Sequence, residues 1–211
     1  MTAPLVALAA GLGAVAGLGI RVLLGRLRRG VVLRPGIAET SAALVTGVGV
    51  LLAAGDATLE LALLTGLLLV ALGAVDIVHH RLPDAITLPA VPLTAAAVVL
   101  TAVLVPGSGS LLTAAVAALV LWAVFAAIAR VSPRSMGHGD VKLMPTLGLL
   151  MGYLSPAAVL VGLLIAFGTG SAAALLGVAV RRLGLRSAIP LGPSLLFGTW
   201  VVLLFPGAFS G

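Results

Sequence analysis

The stretch Ser135-Met136-Gly137-His138-Gly139-Asp140-Val141-Lys142 opens an apolar run that reaches Leu154. It sets a carboxylate at the boundary between a polar loop and a hydrophobic segment. The chain has only 6 acidic residues in 211, so an aspartate in that place is a scarce feature. Glycines at 137 and 139 allow backbone conformations closed to other residues and let the chain approach a neighbour closely. A second aspartate, Asp76, ends the earlier apolar run from Gly66 and precedes His79-His80-Arg81-Leu82-Pro83-Asp84.

Composition fixes the class around these two points. With 61% hydrophobic residues, 9% charged residues and a mean hydropathy of +1.29, the chain reads as an all-α, polytopic membrane protein and not as a soluble domain. Each crossing takes about 20 apolar residues. The absence of cysteine excludes disulfides, cysteine-ligated zinc and a thiol nucleophile. A pI of 11.6 would point to nucleic acid in a soluble protein. Here topology accounts for the basic residues, so the expected partner is the lipid bilayer and no nucleic acid. Gly162, Ala166 and Gly170 stand at the small-xxx-small spacing of tightly packed membrane helices.

Taken in order, the apolar runs cover 4–24, 38–54, 59–76, 86–105, 111–129, 143–154, 157–180 and 190–205. No basic residue precedes the first run, so it reads as a retained helix and not as a cleaved signal. Pro35-Gly36, Pro83, Pro106-Gly107 and Ser155-Pro156 mark breaks between runs. Alternate loops are basic (26–34, 79–84, 130–142, 181–186), and the others are acidic or neutral (55–60, 106–110, 154–156). The positive-inside rule makes the basic side cytoplasmic. All 12 basic residues then lie at or near that side, with Arg21 at the inner end of the first helix. The expectation is about eight membrane segments with both termini outside. The run 143–154 is too short to cross unaided. The chain is expected to form one membrane domain over 1–211, with N-terminal helices in 1–58 and a core in 59–206.

Both Asp76 and Asp140 fall on the cytoplasmic side. Asp140 alone reads equally well as an ordinary N-terminal charge that complements a helix dipole. Asp76 does not, because a negative charge near a helix C-terminus is unfavourable. Ionisable residues in membrane segments mark functional sites by default. The chemistry that suits such a pair is hydrolysis by an activated water: one carboxylate takes a proton from water while the other, protonated, hydrogen-bonds the scissile carbonyl. Two close carboxylates do not both ionise easily, so they share a proton.

Three motifs then carry a resemblance. Gly137-x-Gly139-Asp140-x-Lys142 resembles the G-x-G-D-x-K signature of the type IV prepilin peptidases, intramembrane aspartyl proteases of the GxGD class. Asp76 followed by Arg81-Leu82-Pro83-Asp84-x-x-Thr87-Leu88-Pro89 is similar to that family's first aspartate motif. Ile189-Pro190-Leu191-Gly192-Pro193 is similar to the I-P-F-G-P that opens its last helix. Leu82 and Leu191 replace the commoner Ile and Phe. The likeness runs from about residue 60 to 205. It implies that 59–206 is a peptidase core and that Asp76 and Asp140 are its catalytic dyad, with Gly137, Gly139, Lys142, Pro83 and Asp84 as supporting motif residues. It also implies prepilin or pseudopilin substrates of the type IV pilus and related secretion systems. Their short basic leader would be cut at the cytoplasmic face of a bacterial plasma membrane. Larger members carry a methyltransferase domain with paired CxxC motifs after the first helix. Only the Arg26–Ile37 loop stands there in this chain, so peptidase activity without N-methylation is expected.

His79, His80 and His138 lie near the same side, but neither their adjacency nor their isolation gives a metal-ligand spacing. No metal and no cofactor are expected. On a helix Lys142 and Asp140 do not face one another. Lys142 is either a substrate-steering charge or a snorkelling anchor. The rival reading is a small proton-coupled transporter with the two aspartates as a relay. It would call for internal repeats and midplane charges, and the chain shows neither.

Overall fold

The computed structural model describes residues 2–27, 30–132, 137–180 and 190–209. Among these, the regular elements are helical: α1 (Thr2–Arg26), α2 (Ile37–Ala53), α3 (Leu59–His79), α4 (Asp84–Leu104), α5 (Leu111–Val131), α6 (His138–Leu154), α7 (Pro156–Ala179) and α8 (Gly192–Leu204). A 3₁₀ turn at Pro206–Ala208 follows. Five helices (α1, α3, α4, α5 and α7) are long and apolar enough to cross a bilayer, while α2 and α8 are shorter apolar helices. This is a polytopic helical membrane protein.

The packing agrees with a lipid environment. Leu5, Leu8, Leu12 and Val15 of α1 and Leu160, Leu164 and Leu175 of α7 point outward. Water would penalise such surfaces, whereas lipid is as apolar as leucine. Close van der Waals contact must then hold the helices together. The stripe Gly162, Ala166 and Gly170 does this on α7: Gly162 and Ala166 lie against Gly198 of α8, and Gly170 against Ser194.

Helices α6 and α8 form the centre. α6 touches α4, α5, α7 and α8, and α8 touches α3, α6 and α7. Leu143, Met144, Leu147, Leu150 and Met151 of α6 are fully enclosed with Leu195, Leu196 and Leu203 of α8. The hairpin α1–α2 packs at one side, tied by Arg21 Nε to Glu39 Oε1 at 2.6 Å.

The short run expected at 143–154 proves to be a 17-residue helix beginning at His138. The motif residues 138–142 form its polar first turns, which hydropathy does not count. At 1.5 Å per residue α6 is about 25 Å long, and it is not one of the five spans.

The bundle has two distinct ends. At one, Ser108 Oγ meets the Tyr153 hydroxyl at 2.7 Å, and Thr101 Oγ1 donates to Glu60 Oε1 at 2.6 Å. At the other, the ends of α3, α4, α6 and α8 gather around Asp76.

Candidate active site

Asp76 lies four residues before the C-cap of α3, where His80 adopts a left-handed conformation (φ 50°) and donates its N–H to the Asp76 carbonyl at 2.8 Å. The Asp76 residue is only 4% exposed. A buried carboxylate needs donors, and α8 supplies one: Gly192 N–H donates to Asp76 Oδ2 at 3.0 Å. The first turn of any helix leaves its N–H groups without helical partners. Gly192 spends one of them on Asp76, and Pro193, which has no N–H, removes the next.

Asp140 sits in the first turn of α6, half-buried, its N–H donating to the Gly137 carbonyl at 3.1 Å. Asp140 directly follows Gly139, which packs on Leu82, and Leu82 in turn packs on Gly192, the donor to Asp76. The structure thus brings the two candidate aspartates to one end of the bundle.

Leu82 stands between them. It is buried in the α3–α4 turn, with Gly139 on one side and Gly192 on the other. A Cβ on Gly139 would come to 2.9 Å from Leu82 Cβ and 3.2 Å from Leu82 N. A Cβ on Gly192 would come to 3.1 Å from Leu82 Cδ2 and 2.9 Å from Asp76 Oδ2. Neither Gly137 nor Gly139 takes a positive φ. The expected backbone freedom is therefore unused, and close approach at Gly139 is what the motif requires.

The remaining motif residues take supporting places. Pro83 is the N-cap of α4, and its carbonyl accepts the N–H groups of Ile86 and Thr87 at 3.0 and 3.1 Å. Lys142 Nζ donates to both oxygens of Asp84, each at 2.7 Å. His79 Nε2 lies 3.2 Å from the Gly30 carbonyl, which brings the α1–α2 connection to the same end. Among the described residues no three histidine or acidic side chains gather at metal-ligand distances. Ser135, Met136 and Ile189, together with Arg28, Arg29, Arg181, Arg182 and Arg186 of the basic loops, lie outside the described residues.

Sequence reasoning quoted Gly192 and Leu82 only as parts of motifs and did not place them in the site. A Gly-Pro step at a helix start signals spare N–H groups nearby, but nothing in the sequence says which acceptor takes them.

Fold and site together define a multi-pass membrane protein with two aspartates at one end of the helical bundle. Residues 61–178 match the type IV leader peptidase family, over more than half of the chain and across both aspartates. The chain belongs to that family. Two curated relatives, each described as a prepilin leader peptidase/N-methyltransferase, are similar to it. The protein from Xanthomonas campestris pv. campestris is 31% identical over 65% of this chain and 47% of its own length. The protein from Dickeya chrysanthemi is 35% identical over 59% of this chain and 43% of its own. The matched part is thus less than half the length of these relatives. No solved structure matches the chain.

Proposed function

We propose that this chain is an intramembrane aspartic endopeptidase that removes the short basic leader of type IV prepilins or pseudopilins at the cytoplasmic membrane face. The placement of Asp76 and Asp140 at one end, on either side of Leu82, in a chain of the leader peptidase family, carries this reading. One carboxylate takes a proton from water, and the water oxygen attacks the scissile carbonyl carbon. The other carboxyl gives its proton to the carbonyl oxygen. As the tetrahedral adduct collapses, one of its hydroxyls returns a proton to the dyad and the amine leaves with a proton from the dyad, which restores the single shared proton. Gly192 N–H can only donate, so it fixes Asp76 Oδ2 as an acceptor and leaves Oδ1 to exchange protons.

Two further points belong to this reading. Arg81 and Lys142 flank the site end, and the basic loops of the sequence fall on the same side of the expected topology, so the positive-inside rule favours a cytoplasmic site. The connection between α1 and α2 is short and the chain has no cysteine, which supports peptidase activity without N-methylation.

The test is co-expression of a prepilin-type substrate with wild type, Asp76→Asn and Asp140→Asn, with cleavage followed by mobility and a chelator as control. Asparagine at 76 still accepts the Gly192 N–H, so the local structure is kept. Wild type should cut, each variant should lose all detectable cleavage, and the chelator should have no effect. Cleavage surviving in either variant sinks the dyad. Proton flux that changes in the variants, with no cleavage by wild type, favours a transporter.

A further inference from the structure

We propose that the Asp84–Lys142 ion pair is a clamp that sets how the two aspartates face each other, with both residues acting as positioning residues through Leu82. This rests on the peptidase reading above. Asp84 and Lys142 belong to the first turns of different helices, α4 and α6. Asp84 immediately follows the Leu82-Pro83 turn, and Lys142 stands two residues beyond Asp140. Lys142 Nζ reaches both Asp84 oxygens at 2.7 Å. The pair thereby holds the turn that carries Leu82 against the start of α6, where Gly139 touches the Leu82 backbone. The other side of Leu82 meets Gly192, whose N–H holds Asp76. Asp76, Gly192, Leu82, Gly139 and Asp140 form a continuous series of contacts, and the ion pair fastens it from outside.

The exposure of the pair decides what its loss will do. The two side chains are 39% and 57% exposed, and solvated pairs of that kind add little to folding stability. Catalysis is far more sensitive, because a shift of about 1 Å at reacting groups costs on the order of 100-fold in rate. The clamp should therefore register in turnover and not in melting. Lys142 is held by a carboxylate of its own chain instead of standing free to steer a basic-leader substrate or anchor to lipid.

The experiment measures kcat and KM for leader cleavage by full-length protein in membranes, with melting temperature alongside. It compares wild type, Asp84→Asn, Lys142→Gln, the double neutral variant and the charge-swapped Asp84→Lys/Lys142→Asp. Each single variant should lose about tenfold or more in kcat with KM and melting unchanged. The double neutral variant should be no worse than the poorer single variant. The swap should recover most of the loss. Single variants with wild-type kcat overturn the clamp, as do additive losses in the double neutral variant or a rise in KM confined to Lys142→Gln. Should the swap fail to fold, the neutral cycle decides alone. Absence of cleavage by wild type itself would count against the peptidase reading and not against the clamp.

Discussion

At the scale of single residues, the site depends on what its glycines leave out. Replacing Gly192 with Ala puts a methyl at 2.9 Å from Asp76 Oδ2 and 3.1 Å from Leu82 Cδ2. Something must shift, and Asp76 is what moves or loses its donor. Gly192→Ala should lower the cleavage rate by about 100-fold, the order seen when a preorganised contact at reacting groups is displaced; single-turnover assays in membranes would show it. Gly139→Ala presses on the other side of Leu82, 2.9 Å from its Cβ and 3.2 Å from its N; alanine at 82 keeps both atoms, so adding Leu82→Ala to it should restore no activity. Recovery in that double variant would mean that Gly139 makes room for the outer Leu82 side chain and not for its Cβ and backbone. The two aspartates were legible in the sequence because charge is scarce in an apolar chain and each stood where a helix meets a loop. Leu82 was not legible as a site residue. It is one leucine among many in an apolar chain, and its role comes from three-dimensional contacts on two sides.

At the scale of helices, the apolar runs and the observed elements agree to within a few residues except where polar turns belong to a helix. The run 86–105 missed Asp84, which opens α4, and the run 143–154 missed the whole motif turn of α6. Hydropathy sees only the part of a helix that lipid would tolerate, whereas the first turn favours acidic residues that complement its dipole. Proline gave mixed guidance. Pro83 marks a boundary, but Pro89, Pro92 and Pro145 lie inside helices; membrane helices tolerate this where neighbours satisfy the freed carbonyls. The far end of the bundle is a separate structural element of the same helices, with Tyr153 of α6 bonded to Ser108. Tyr153→Phe removes one hydroxyl there and should destabilise by about 1 kcal/mol, read by thermal unfolding in detergent, with cleavage unchanged. A loss of cleavage in that variant would show that the two ends are coupled.

At the scale of the whole molecule, the orientation argued from the basic loops has a direct test in a chain with no cysteine of its own. Ser108→Cys should react with a membrane-impermeant maleimide in intact cells. Arg34→Cys should react only after permeabilisation. The reverse pattern would put the aspartates on the outer side. The loops carry an asymmetry of charge that is legible in sequence, because lysine and arginine counts need no coordinates. The arrangement of helices around α6 and α8 was not disclosed, since apolar faces that all meet either lipid or each other carry no periodic signature of their partners.

The hydrogen bond from Gly192 to Asp76 also orders events during synthesis. Both aspartates have left the ribosome long before α8, but the donor that holds one of them belongs to α8. Until that helix inserts and packs, a nascent chain holds both candidate aspartates without this donor. A chain cut short after Val180 should insert its earlier helices and never gain activity.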